Sequence, residues 1–315
     1  MSKVFFITGA GSGIGRVLAR ELLLKGYRVF LTDYNQAFLE DTCTAHLPSV
    51  LPSDKHENFR WSAMDVSDGE QVTKAIASCA EGFGGIDVLV NSTTFAFLLY
   101  SLRTANVPRP DLQLTFHLLD TDAGINSQYM RAGTRMDQVP TSDFERILSV
   151  NLVGTYRVSQ AAISHLEKSP GGGVIINMSS CRATQQSKHG EAYAASKAGI
   201  EGLSMAMSVS LGPKIRVHVV SPGMVDVRCE RNGDLLPDVE TIRGDLSRDF
   251  QSEYAPAWGA GKSDAMSEAH PVGRIGRGED IARWVEFLGV LESGFTTGGT
   301  YLVDGGYSKV LSYPT

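Results

Sequence analysis

Short apolar runs alternate along the chain with longer segments in which apolar residues recur three and four apart. The runs lie at 4–8, 29–32, 59–64, 87–90, 174–176, 215–220 and 300–303. Val174, Ile175 and Ile176 form an unbroken apolar run, the pattern of a strand buried on both faces. Ile14, Val17, Leu18 and Leu22 share one helical face after the first run, and Gly26 is placed to end that helix. Further helices are predicted at 68–83, from Ser142 through Asn151 to about Leu166, from about Tyr193 onward, and at 279–288. The last carries Ile281, Trp284, Val285 and Leu288 at core spacing. Ser142-Asp-Phe-Glu145 reads as a capping box opening the helix of Phe144, Ile147 and Leu148. Strand and helix alternate, so the expected fold is α/β with a parallel, doubly wound sheet.

The first strand and first helix are joined by Gly9-Ala-Gly-Ser-Gly-Ile-Gly15. A strand, a glycine turn and a helix N-terminus present backbone N–H groups to a pyrophosphate, and glycines let phosphate approach the backbone. Gly9, Ser12, Gly13, Ile14 and Gly15 are therefore candidate cofactor contacts. The spacing Gly9-x-x-x-Gly13-x-Gly15 is not the common G-x-G-x-x-G fingerprint. Asp33 ends the second strand about 20 residues on, where a carboxylate accepts hydrogen bonds from a ribose 2′-OH and repels a 2′-phosphate. That favours NAD over NADP; the competing reading is that Asp33 caps the next helix.

The 174–176 strand ends at Ser179 and Ser180, at the sheet edge where open α/β folds collect ligands. Tyr193 and Lys197, four apart, stand one turn apart on one helix face. A free tyrosine titrates near ~10, too high for a base at neutral pH, and a neighbouring ammonium favours the phenolate. Ser180 holding a substrate oxygen while Tyr193 moves its proton is the chemistry this trio suggests. Tyr-x-x-x-Lys by itself equally describes an exposed helix pair, so the motif depends on its context.

Composition narrows the partners. Of 315 residues, 42% are hydrophobic and 20% charged, as in soluble globular proteins. A formal charge of −6 without a basic cluster argues against nucleic acid or an acidic membrane surface. Cys43, Cys79, Cys181 and Cys229 lack metal spacing and read as buried or idle thiols in a reducing compartment. No His/Cys/Asp cluster suggests a metal. Met1 to Lys3 leads directly into a strand without a secretory signal, and the most lipid-like run, 95–102, is too short to span a bilayer. The expected location is cytoplasmic.

Taken together, these residues resemble the short-chain dehydrogenase/reductase family. The resemblance rests on Thr8-Gly-Ala-Gly-Ser-Gly-Ile-Gly15, Asp65-Val66, Asn151, Ser180, Tyr193-Ala-Ala-Ser-Lys197, Pro222-Gly223, and the tail from His270-Pro-Val-Gly-Arg-Ile-Gly276 to Val303-Asp-Gly-Gly306. It spans nearly the whole chain in the family's order. It implies a single domain with a seven-stranded, Rossmann-like parallel sheet, a nicotinamide cofactor, and a Ser-Tyr-Lys site with a helper Asn. The family's Ser precedes its Tyr by thirteen residues, which selects Ser180 over Ser179. Asn151 matches the Asn that holds a proton-relay water. Asp65 and Val66 match adenine contacts, and Val150 joins the expected cofactor contacts. Pro222 and Gly223 match the turn at the nicotinamide carboxamide, with Val225 at most a backbone or apolar contact. Val227 stands where the family often has Thr, losing a possible phosphate contact.

One departure is large. The family continues its fourth strand with Asn-Asn-Ala-Gly against the cofactor. Here Asn91 is followed by 92–121, and Ala123 and Gly124 come only after Asp122. A structureless insertion of this length inside a compact domain is unusual. Codons explain it. With Ser92 as A|GT and Asp122 as G|AT, excision restores an Asn codon and the join Val-Leu-Val-Asn-Asn-Ala-Gly. We read 92–121 as an intron retained in the reading frame; the alternative is a genuine surface loop whose apolar run 95–99 needs a partner surface.

The segment 226–269 matches the family's substrate lid in position. Arg231, Tyr254, Trp258 and Met266 are candidate substrate contacts there, with ordinary lid packing the competing reading for each. His189 and His218 are expected to be structural or solvent-facing. The helix from Ser142 and the helix of Tyr193 correspond to the family's dimer surface, where Ala194, Ala195, Ala198, Gly199 and Gly202 allow close approach; a homodimer or homotetramer is expected. The function expected is hydride transfer between NAD(H) and a secondary alcohol or its ketone. Two alternatives stay open: an NADPH-dependent reductase of oxoacyl thioesters, which Asp33 and the absence of a basic residue at Ser12 oppose, and a non-catalytic nucleotide-binding protein if the insertion blocks the cleft.

Overall fold

The computed structural model describes residues 2–93, 135–186, 190–227, 267–292 and 294–310. Seven strands form one parallel sheet: β1 Val4–Thr8, β2 Arg28–Asp33, β3 Phe59–Ala63, β4 Val88–Asn91, β5 Gly173–Met178, β6 Ile215–Pro222 and, last in the chain, β9 Thr300–Val303. Their order is β3-β2-β1-β4-β5-β6-β9, and every neighbouring pair is parallel. Two short strands, β7 Val225–Asp226 and β8 Gly276–Arg277, pair separately. The expected doubly wound, seven-stranded Rossmann-like sheet is the fold of the protein.

Successive strand residues point to opposite faces, so an apolar run feeds two cores at once. Phe5 and Ile7 join Val88, Val90, Val174 and Ile176 on one side, against Leu18 and Leu22 of helix α1 (Gly13–Leu24) and Ile281, Val285 and Leu288 of the C-terminal helix Gly278–Val290. Val4 and Phe6 join Leu89, Ile175 and Val217 on the other. They meet Val72 and Ile76 of the helix Gly69–Phe83 and Val158, Ala162 and Leu166 of the helix Gly154–Leu166. Each buried aliphatic or aromatic side chain of this kind contributes about 1.5–3 kcal/mol relative to exposure. This two-sided burial is why the strands read as continuous apolar runs.

Most expected elements lie within one or two residues of their observed ends. Asp68 caps the helix Gly69–Phe83 by accepting from the amides of Glu70 and Gln71, at 2.9 and 3.1 Å. The capping box at Ser142 does not form. That helix starts earlier, at Thr141, with Pro140 at the cap, so Ser142 lies inside its first turn. Pro140 explains this, because its fixed φ suits a helix start and it needs no amide partner. Nor does the helix run regularly to Leu166. It is α-helical over Thr141–Leu148, widens to a π turn over Ser149–Val153, and resumes over Gly154–Leu166. The pattern also did not signal the crossover between β2 and β3. It consists of Gln36–Asp41, a π turn Thr42–His46 and Leu47–Val50, and buries Leu39, Cys43 and Leu47.

β1 and β4 are neighbours although β2 and β3 intervene in sequence, so the winding reverses there and a crevice opens above the ends of Thr8 and Asn91.

Candidate active site

The glycine turn folds tightly against the start of the inserted segment. Gly9 takes φ +66°, and a Cβ there would sit 2.7 Å from the Ser92 carbonyl oxygen; a Cβ on Gly15 would sit 2.1 Å from the Gly9 carbonyl oxygen. Side chains at either place are excluded, which leaves backbone lining the crevice. Helix α1 begins at Gly13 with no side-chain cap from Ser12 and no acidic residue in its first turn. Its N-terminal amides and dipole are thereby available to an anion. Val227 returns over this turn, its Cγ2 3.8 Å from the position of a Gly13 Cβ. The turn fits a dinucleotide's pyrophosphate, and the side chain beside it at 227 is the apolar Val.

Asp33 is buried and already engaged. One carboxylate oxygen accepts the Gly11 amide at 2.9 Å and the other the Asn35 amide at 2.9 Å. The cap of the following helix is Asn35, which accepts from the Phe38 amide at 3.0 Å, so capping is not the role of Asp33. A pocket opens beside it, lined by Gly9, Asp33, Asp65, Val66 and Val150. Asp65 accepts from the amide and hydroxyl of Ser67, each at 2.7 Å. Gly154 lets Val66 sit close, since a Cβ there would lie 2.7 Å from Val66 Cγ2. The sequence reading missed other walls of this pocket: Thr8, Thr32, Tyr34, Met64, Ser67, Thr93, Arg146 and Ser149. Thr8, Thr32 and Met64 had a usable signal, standing at or just past strand ends. Arg146 had a second, lying one helical turn before Val150.

The Ser-Tyr-Lys residues come from β5 and the helix Glu191–Ser210. Tyr193 and Lys197 are both buried, and the Lys197 ammonium lies 5.6 Å from the centre of the Tyr193 ring. Lys197 Nζ donates to the Met178 carbonyl at 3.0 Å. Burial pushes its pKa down to about 7. Ser180 follows β5 in extended conformation, at the cap of the turn Cys181–Ala183, and its hydroxyl accepts from the Arg182 amide at 3.2 Å. Ser179 is used differently. Its single hydroxyl proton is shared between two acceptors, the Lys197 carbonyl at 3.1 Å and Glu201 Oε1 at 3.0 Å. Of the two serines, Ser179 is turned into the helix.

Asn151 sits in the π turn, its amide nitrogen donating to Ser196 at 3.1 Å, while its buried Oδ1 has no hydrogen-bond partner among the described residues. Asn91 turns its amide nitrogen inward, to Ser159 at 3.0 Å and Asn177 at 2.8 Å, so its side chain ties β4 to β5 and the helix Gly154–Leu166. Pro222 ends β6, Gly223 packs against Asp304, and Val225 lies in β7. His218 is fully buried and held to about pKa 4, first by desolvation and then by Arg216, as suits a structural residue. Cys43, Cys79 and Cys181 are buried free thiols whose burial raises their pKa, the first two to about 12. Among the described residues no cluster suits a metal ion, and no helix is long and apolar enough to cross a membrane. Ala123, Gly124, Asp122, His189, Cys229, Arg231, Tyr254, Trp258 and Met266 lie outside the described residues, as do nearly all of 92–121 and 226–269.

The family described as short chain dehydrogenase matches residues 3–118 and 111–234. The chain belongs to this family of oxidoreductases. It is 27% identical to the granaticin polyketide synthase putative ketoacyl reductase 2 of Streptomyces violaceoruber, over 97% of this chain and 96% of that one. It is 28% identical to D-threitol dehydrogenase of Mycolicibacterium smegmatis, over 97% and 93%. Among solved structures it resembles ElxO with NADP bound, at 25% identity and a TM-score of 0.70, covering 98% of this chain and all of that one.

Proposed function

We propose that the protein is an NAD(H)-dependent oxidoreductase that interconverts a secondary alcohol and its ketone. The observation that carries this reading is the burial of Tyr193 and Lys197 together, with Lys197 Nζ bonded to the carbonyl of Met178, the last residue of β5 and two residues before Ser180. The glycine turn would hold the pyrophosphate, and Asp33, Asp65, Val66 and Val150 the adenosine. When bound, the cofactor supplies the hydride acceptor or donor. Ser180 orients the substrate oxygen. Tyr193 takes the hydroxyl proton during oxidation and returns one during reduction. Lys197 favours the phenolate through its charge, and Asn151 connects it toward solvent.

Asp33 supports NAD, since its carboxylate faces a pocket where a 2′-phosphate would meet like charge. The name of the D-threitol relative supports a hydroxylated small molecule as substrate. NADP bound to ElxO and the ketoacyl reductase relative favour the second reading, an NADPH-dependent reductase of oxoacyl thioesters. Reduction of NAD and of NADP against a panel of polyols, sugars, hydroxysteroids and simple secondary alcohols separates the two. Tyr193→Phe is expected to lower turnover about 10²–10⁴-fold, the usual worth of a general acid–base. Cofactor binding should be unchanged, and near-normal turnover in that variant would refute the assignment.

A further inference from the structure

The helix Glu191–Ser210 carries Tyr193, Lys197 and Glu201 at four-residue steps, on one stripe. Glu201 has no place in the proton transfer described above, yet its carboxylate oxygen Oε1 accepts two hydroxyls. One comes from Ser179 at 3.0 Å and the other from Ser221 at 3.0 Å. Ser179 immediately precedes Ser180, and Ser221 immediately precedes Pro222 and Gly223. Both serines are about 2% exposed. A single oxygen therefore ties together the ends of β5 and β6, which present the substrate-side hydroxyl and the nicotinamide-side turn. The Lys197 carbonyl lies 3.1 Å from the same Ser179 hydroxyl and shares its one proton with Glu201, so the knot also touches the helix turn that bears Lys197. Hydrogen bonds to an ionised acceptor are stronger than neutral ones, and a bond shared by three elements restrains all three.

We infer that Glu201 is a positioning residue that holds the Ser180 and Pro222–Gly223 strand ends in register with Lys197. The inference rests on the oxidoreductase reading. Glu201→Ala should lower kcat about tenfold or more while the cofactor Kd stays within about threefold. Glu201→Gln, whose amide oxygen still accepts both hydroxyls, should restore most of the loss. In the cofactor-free protein, Glu201→Ala should speed amide hydrogen exchange at Ser179, whose amide bonds to the Val220 carbonyl at 2.8 Å, and at Gly223, whose amide bonds to the Val303 carbonyl at 3.0 Å. Ser221→Ala, a milder change that removes the β6 arm alone, should reproduce part of each effect and keeps the test decisive if Glu201→Ala folds poorly. Unchanged kcat and unchanged exchange in both Glu201→Ala and Ser221→Ala overturn the inference. So does a Gln variant as impaired as the Ala variant. Tyr193→Phe measured alongside distinguishes the failures: a fully active Tyr193→Phe discards the oxidoreductase reading, whereas an inactive one with unaffected Glu201 variants discards only the role of Glu201.

Discussion

Lys197 reaches back from its helix to the end of β5, its Nζ donating to the Met178 carbonyl at 3.0 Å, and it is wholly buried there. Burying an ammonium penalises the protonated form, which is why its pKa falls from 10.5 to about 7. The unfolded chain keeps this proton up to about 10.5. Between about pH 7 and 10.5 the unfolded state therefore binds more protons, and stability rises with pH across that window; below about pH 7 the full penalty is present. In the cofactor-free protein, Lys197→Met should flatten this rise and raise Tm at pH 7 by a few degrees, at roughly 2–4 °C per kcal/mol. Turnover should be lost. Calorimetry across pH 6–10 checks it, and a Tm that falls at every pH would count against the buried-charge account.

The carboxylate of Asp33 braces the glycine turn through the Gly11 amide, and in the proposed reading it also sets cofactor choice. Asp33→Asn keeps an acceptor for that amide and removes the charge. The ratio of kcat/KM for NAD over NADP is expected to fall about tenfold or more, in line with the ~1.5–3 kcal/mol of a hydrogen bond to a charged group. A ratio that does not move would assign the preference to other walls of the pocket.

The family match falls into two pieces that overlap at residues 111–118, inside the 92–121 segment. At the segment's start, the Ser92 amide donates to Thr8 Oγ1 at 3.1 Å, and Thr93 lines the pocket beside Asp33 and Asp65. A chain lacking 92–121 and carrying Asp122→Asn should bind NAD more tightly and melt at a higher temperature than the full chain. Thermal shift with and without NAD reads both. A mature transcript that always contains the segment, together with weaker NAD binding after its removal, would end the intron reading.

We propose that the helix Glu191–Ser210 also forms a contact between copies of the chain. Ala195, Ala198, Gly202, Met205 and Val209 are exposed along it, with Val209 83% exposed, and Val153 and Tyr156 are exposed on the neighbouring helix. A Gly202 Cβ would meet nothing within 4 Å among the described residues, so none of them accounts for that glycine. Val209→Glu should shift the protein toward monomer in light scattering with size exclusion. An unchanged mass would remove this face from the assembly.

The chain's own pattern was enough for the strands, the parallel winding and the glycine turn. These depend on local periodicity and on burial of both sheet faces, and both are written in runs such as Val174-Ile-Ile176. It also brought Tyr193, Lys197 and the serine pair at 179 and 180 forward, because helix spacing and a strand end are local facts, while the preference for Ser180 came from the family resemblance. Only the tertiary structure decided what lies between distant segments. Ser179 and Ser180 are adjacent and chemically alike, yet packing against Lys197 and Glu201 turned one inward. Asn91 and Asn177 carry no sequence mark of their mutual hydrogen bond, and Glu201 none of its two serines. The π turn at Ser149–Val153 and the crossover Gln36–Val50 escaped the pattern because a shift of one residue in helix register, or short helical pieces joined through a π turn, leaves no clear period. Local period is fixed by backbone geometry, whereas partnership across the sheet is fixed by which strand ends and helix turns the fold brings within hydrogen-bond reach.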